Sequence, residues 1–224
     1  MTVPTWIVMR ILGARDYTIT AIADCLAQTV PVRLLLINQG VDSAFRDELE
    51  ALAEEYRDRI FCWHHQPPLL SLAATWNRAL DFVWEAGGIR SSFGRAGTPE
   101  AALVVNNDVR LRADTVAELS KIRRLTDALF VSAVGVREEQ FDPTEGLIFP
   151  DDPDADQPQL SKGGPDFSCF LISRACHDRF RFDEAFIPAY CEDLDTHRRL
   201  LLAGEGHRIF SVNLPYVHYA AGTL

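Results

Sequence analysis

Absences bound this chain first. No apolar run approaches the roughly 20 residues that span a bilayer, and the N-terminus lacks the basic-then-apolar pattern of an export leader. The expectation is a cytoplasmic protein with no membrane span. Cysteine is scarce: Cys25, Cys62, Cys169, Cys176 and Cys191 are odd in number and hold no C-x-x-C spacing. That excludes a zinc knuckle and points to reduced, partly buried thiols. Positive charge is also short, with 22 Lys and Arg against 32 Asp and Glu and a net charge of −10. Such a balance argues against general binding to a nucleic-acid backbone. A glycine-rich phosphate loop is missing, and no internal repeat is visible.

What is present suits one domain. The 224 residues, 47% of them hydrophobic, can bury about 70% of the unfolded chain's surface. Residues 6–9 read as a first strand. Ile19, Ile22, Ala23 and Leu26 recur at helical spacing behind Asp16, a candidate N-cap. Pro31 stops that helix before a second strand, 32–37, which ends in Asn38-Gln39-Gly40. Phe45, Leu49, Leu52, Ala53 and Tyr56 mark a second helix, and 60–63 a third strand. Leu72, Trp76, Ala79, Leu80 and Val83 mark a third helix, closed by Gly87-Gly88.

Residues 89–99 read as an exposed loop ahead of a central strand, 101–105. Asp114 is a candidate cap for a helix carrying Val116, Leu119 and Ile122, and 129–136 is a further strand. Residues 137–164, dense in Asp, Glu, Pro and Gly, read either as a substrate-side lid or as disorder. A strand at 167–172, a helix from about Glu192 to Ala203 stopped by Gly204, and apolar runs at 209–212 and 217–219 complete the chain. This alternation predicts an α/β protein with a mainly parallel central sheet flanked by helices. The polar tails of strands 32–37 and 101–105 should share one rim.

Three polar groups stand where chemistry could occur. The buried run Leu103-Val104-Val105 breaks into Asn106-Asn107-Asp108, and open α/β sheets place ligands at such strand ends. Asp108, the only full charge there, reads as a hard-cation ligand or as part of a polar turn. Glu192 and Asp193 open a helix, whose dipole favours ionised carboxylates. They read as helix caps or as acceptors for a hydroxyl proton. His218 reads as a hydrogen-bonded core residue or as a ligand for an ion such as manganese.

In this order and spacing the pieces resemble the family 2 glycosyltransferases of GT-A fold, over nearly the whole chain. Ile37-Asn38-Gln39-Gly40 resembles the family's strand-ending turn, and Trp76-Asn77-Arg78-Ala79 its Asn-bearing helix. Asn106-Asn107-Asp108 resembles an NNDV variant of the acidic D-x-D-like motif. Phe170-Leu171-Ile172-Ser173-Arg174 with Phe182-Asp183-Glu184 looks like the strand-and-FDE segment. Tyr190-Cys191-Glu192-Asp193-Leu194-Asp195 looks like the E-D acceptor motif, and Val217-His218 lies where many members have a metal-binding His.

The resemblance implies a single GT-A domain over 1–224, with a nucleotide-binding half over about 1–110 and an acceptor-binding half over about 111–224. It implies inverting, metal-dependent transfer of a sugar from a UDP-, dTDP- or GDP-sugar to a glycan or other hydroxyl acceptor. Asp108 and His218 would hold Mg2+ or Mn2+. Asn106 and Asn107 would contact the ribose, the donor sugar or a metal-bound water. Asn38 would face the nucleobase, and Asn77 travels with these nucleotide-binding residues. Asp193 would be the general base, and Glu192 would bind or orient the acceptor. One base in line with the departing diphosphate inverts the anomeric centre, unlike hydrolysis by a carboxylate pair.

Two departures from the pattern matter. Asn38 stands where the family often has Asp. Asn106 replaces the first acid of the fuller motif, which predicts weak metal affinity without donor. Those amides motivate another reading, a catalytically silent nucleotide-sugar or carbohydrate-binding module. A nucleotidyltransferase would need more glycine near the first strand than Gly13 supplies.

Overall fold

The computed structural model describes residues 3–86, 99–143 and 165–220. The expected Gly87-Gly88 stop, most of the loop at 89–99, and the 144–164 part of the segment at 137–164 lie outside the described residues. Three units of strand and helix come first. They are β1 (Thr5–Ile11) with α1 (Arg15–Leu26), β2 (Val32–Asn38) with α2 (Ser43–Glu55), and β3 (Ile60–His64) with α3 (Leu72–Ala86). Next come β4 (Ala101–Asn106), β5 (Val109–Arg110), α4 (Thr115–Thr126) and β6 (Phe130–Val136). The last part holds β7 (Cys169–Ser173), α5 (Arg174–Arg179), α6 (Glu192–Leu202) and β8 (Ile209–His218).

The strands form one sheet in the order β3-β2-β1-β4-β7-β6-β8-β5. Its first half, β3-β2-β1-β4, is parallel throughout. The second half is mixed, because β7 runs antiparallel to both β4 and β6, while β8 is parallel to β6 and β5 antiparallel to β8. β7 follows β6 in the chain and runs antiparallel to it, a pairing that does not require the crossover a parallel pair needs. One consequence positions the site. The carboxyl ends of β1, β2, β4, β6 and β8 all reach one rim, as the polar tails predicted for β2 and β4.

Both faces of the sheet are covered, so the strands read as continuous apolar runs rather than alternating ones. Ile7, Met9 and Ile11 of β1 enter one core with Ile22, Leu49 and Leu119. Trp6 and Val8 enter the other, with Trp76, Leu80 and Leu200. Each fully buried aliphatic side chain contributes roughly 1.5–3 kcal/mol.

Helix starts differ in detail from expectation. Asp42 caps α2, its carboxylate accepting from the Phe45 N–H at 2.9 Å. Asp16 does not cap α1: it lies in the first turn, and left-handed Ala14 (φ 52°) occupies the cap. Asp114 sits at the cap of α4, but the Arg112 guanidinium holds its carboxylate at 2.9 and 2.8 Å. Gly204 (φ 77°) follows α6 and donates to the Leu201 carbonyl, the stop its sequence position implied. The two runs at 209–212 and 217–219 belong to a single strand, β8. A register shift between Ser132 and Val134 of β6 absorbs extra residues of β8 between Ser211 and Pro215, and Pro215 pairs with Val134. No described helix is long and apolar enough to cross a membrane.

Candidate active site at the strand-end rim

β4 ends beside β1, with Asn106 in register with Arg10. The chain then turns through Asn107-Asp108 into β5, which pairs with the tip of β8 so that Val109 stands opposite His218. The Tyr219 N–H donates to the Asp108 carbonyl at 3.0 Å. This short antiparallel pairing is what brings His218 to the Asn-Asn-Asp turn. His218 Nε2 lies 3.2 Å from Asp108 Oδ1 and 3.2 Å from the Asn106 side-chain amide, and Nδ1 lies 3.3 Å from Ser168 Oγ.

The two contacts of Nε2 belong to different protonation states. Protonated, Nε2 donates to Asp108; deprotonated, it accepts from the Asn106 amide or faces a cation. The hydrogen bond to the buried Asp108 carboxylate raises the His218 pKa, partial burial opposes this, and Asp108 and Asp166 add attraction. Asn107 fastens the turn from beneath. Its amide donates to the Gly13 carbonyl at 2.9 Å and to Thr18 Oγ at 2.7 Å.

A cavity of about 600 Å³ opens at this rim. Asn106, Asn107 and His218 line it from the sheet, Glu192 and Asp193 from the first turn of α6. The turn into α6 is strained: Tyr190 (φ 78°) and Cys191 (φ 70°) are both left-handed without being glycine. Such residues cost roughly 1–3 kcal/mol each and persist where a site needs a particular chain direction. Here they aim the first turn of α6 at the cavity. Glu192 is 3% exposed, and its Oε2 has no hydrogen-bond partner among the described residues. Burial raises its pKa and Asp193 adds to the effect, while backbone hydrogen bonds at Glu192 and Tyr190 and the charge of Arg10 oppose it. Asp193 is less buried, and its Oδ1 accepts from the Leu194 N–H at 2.7 Å.

Not every residue singled out in the sequence reaches the cavity. Asp108 is fully buried behind His218 and does not line it. Asn38 is buried at the end of β2, its amide against His64 Nδ1 at 2.9 Å and its carbonyl accepting from the Val41 N–H at 3.3 Å. Its neighbours Gln39 and Gly40 instead line a second cavity of about 540 Å³. Asn77 is 1% exposed, and its side chain is consumed by the Phe182 backbone and Glu184 Oε1. It pins the Phe-Asp-Glu turn to α3.

Three polar cavity residues escaped the sequence reading. Asp166 and Ser168, just ahead of β7, line it and support His218, and no local pattern marks them. Arg10 lines both cavities. Its signal was present: a full charge at the carboxyl end of a buried apolar strand, as for Asp108.

No protein-family model and no curated protein matches the chain. Solved structures do. The chain is similar to a mannosyltransferase from Pyrobaculum calidifontis in complex with GDP-Man and Mn2+, at TM-score 0.66 and 14% identity over 97% of this chain and 57% of that one. GalNAc-T7 with UDP, GalNAc and Mn2+ gives TM-score 0.69 and 10% identity over 96% of this chain and 43% of that one. The fold is of GT-A type. A third similar structure is S. aureus TarS 1-349 in complex with UDP, at TM-score 0.58 and 12% identity over 94% of this chain and 58% of that one. The chain therefore spans about half the length of these proteins.

Proposed function

We propose that this chain is an inverting, metal-dependent glycosyltransferase of family 2 type, moving a sugar from a nucleoside-diphosphate donor to an acceptor hydroxyl. One observation carries the reading. A single cavity gathers Asn106 and His218, with Asp108 directly behind, and the Glu192-Asp193 pair at the mouth of α6. The GT-A-type fold supports it, as do the GDP-Man, UDP and Mn2+ held by structures of similar fold.

The rim fits a divalent cation. Asp108 Oδ1 and His218 Nε2 stand 3.2 Å apart, a carboxylate oxygen and an imidazole nitrogen that would suit Mn2+ or Mg2+, and Asn106 could add only its side-chain oxygen. Among the described residues no group of three His, Cys, Asp or Glu gathers there, so affinity should be weak until the donor's diphosphate adds oxygens. When bound, the ion stabilises negative charge on the departing diphosphate. His218 must release its Nε2 proton before it can serve as a ligand. Asp193 accepts the proton of the attacking hydroxyl, and Glu192 orients the acceptor. Residues up to about 110 hold the donor and those from about 111 the acceptor.

The test is to incubate the chain with UDP-, dTDP- and GDP-sugars, Mn2+ and candidate glycan acceptors, following released nucleoside diphosphate and the anomer formed. Full rate in excess chelator defeats the metal role, and a retained anomer defeats inversion. The fully buried Asp108 and the amide at position 106 favour one second reading, a silent binding module. Tight donor binding with no steady release beside any acceptor would establish that one.

A further inference from the structure

Arg10 has no role so far, yet it sits where the two cavities meet. It is half buried at the carboxyl end of β1, in register with Asn106. Its guanidinium makes two long contacts, Nε to Gln39 Oε1 at 3.4 Å and Nη2 to the Leu70 carbonyl at 3.3 Å. Among the described residues most of its five N–H donors are thus uncommitted. Glu192 lines the same cavity, 3% exposed and with Oε2 lacking a hydrogen-bond partner. The two charges attract each other, yet among the described residues no ion pair within 4.0 Å joins them.

Opposite charges drawn out of water recover part of their desolvation by closing on each other. These two stay apart, leaving donors on one side of a gap and an acceptor on the other. A phosphate would satisfy Arg10 and be repelled by Glu192, and an apolar group would leave both unmatched. Adjacent hydroxyls of a sugar ring suit both, one accepting from the guanidinium and the other donating to the carboxylate.

We infer that Arg10 and Glu192 together hold adjacent hydroxyls of one sugar ring, and that Arg10 helps select which sugar the cavity takes. The inference rests on that part of the proposed function which makes this cavity a sugar site. Donor and acceptor both carry such hydroxyls, and the test separates them.

Wild type, Arg10→Gln and Arg10→Lys, each as the full chain with Mn2+, are titrated with UDP and GDP and then with UDP-glucose and GDP-mannose. Methyl glucoside, mannoside and galactoside are titrated onto the UDP-saturated proteins by NMR. Arg10→Gln should keep its affinity for the bare nucleoside diphosphates within about twofold, which also shows an intact fold. Its gain from the attached sugar, or its methyl glycoside affinity, should fall about tenfold or more. Loss in the first assigns the hydroxyls to the donor, loss in the second to the acceptor. Arg10→Lys should recover part of the loss, and it carries the test should Arg10→Gln fail to fold.

Unchanged sugar affinity in both arms overturns the inference. So does an equal loss for bare nucleotide and nucleotide sugar, which would make Arg10 a phosphate reader. Arg10-dependent binding of methyl glycosides without any nucleotide binding would sink the transferase reading and keep this one. Binding of neither class would sink both.

Discussion

Asp108 and Glu192 are two buried carboxylates, one behind the wall of the cavity and one on it, and the fold treats them in opposite ways. Asp108, at the end of a sheet, is fully buried and lies 3.2 Å from an imidazole whose pKa it raises. Glu192, at the mouth of a helix, is nearly as buried, but its Oε2 has no partner and its own pKa is raised by burial. One carboxylate has an imidazole to pair with in the resting fold, while the other keeps one oxygen unmatched among the described residues, at a cost in free energy. The sheet rim supplies a fixed frame, and the helix mouth supplies groups poised for a ligand.

If that division is right, the largest effect on the reaction belongs to the helix mouth. Asp193→Asn should lower the transfer rate about 10²–10⁴-fold while leaving donor affinity within about twofold. Rate measurements paired with donor titrations check this, and an unimpaired variant would move the chemistry elsewhere. On the sheet side, His218→Gln should weaken Mn2+ affinity about 10–100-fold, with partial recovery of rate at high Mn2+.

The sheet side also carries a pH signature. The cation must displace a proton from His218, so Mn2+ affinity should fall about tenfold per pH unit below the His218 pKa. That pKa lies above its ordinary 6.5, so the folded state binds the proton more tightly than the unfolded chain does. The resulting stabilisation is complete below pH 6.5 and fades as pH rises through the raised value. Melting temperatures of wild type and His218→Gln should therefore lie furthest apart below pH 6.5 and converge as pH rises through the raised value. Curves that stay parallel would mean Asp108 does not hold the imidazolium.

The same contrast separates what the sequence made legible from what it hid. The parallel half of the sheet announced itself because strands covered on both faces are uninterrupted apolar runs, and their abrupt polar ends marked the rim. Asn106, Asn107, His218, Glu192 and Asp193 were legible through the order of their motifs, and they line one cavity. Asn77 does not line the cavity, and its hydrogen bonds to a segment 105 residues later leave no local trace in the sequence. α5 is six residues long, too short for a helical period, and the antiparallel return of β7 follows from pairing rather than pattern.

Asn77 is where a fully matched polar group can be compared with the two carboxylates. Its amide donates to the Phe182 carbonyl at 2.8 Å and to Glu184 Oε1 at 2.9 Å, and its oxygen accepts from the Phe182 N–H at 3.1 Å. Asn77→Ala strands buried backbone groups and should lower unfolding stability by about 1–3 kcal/mol in urea titration. Nucleoside-diphosphate affinity should not move. A selective loss of nucleotide binding at unchanged stability would return Asn77 to the donor site.

The smallest effect is the sharpest test of the comparison, because its sign is unusual. Glu192→Gln keeps the shape of the side chain and removes its charge. Folding raises the Glu192 pKa above its ordinary 4.5, so the folded state favours the protonated form. The stability linked to that proton is complete below pH 4.5 and is lost as pH rises through the raised value. Near pH 7 the ionised carboxylate therefore weighs against the fold, and Glu192→Gln should melt higher than wild type by at most a few degrees. Near pH 4 the two should coincide. The pattern mirrors His218→Gln, which lowers stability and does so most at low pH. A Glu192→Gln variant that melts lower at neutral pH would mean the carboxylate is matched after all. The distinction between frame and poised group would then fall, and with it the open gap between Glu192 and Arg10.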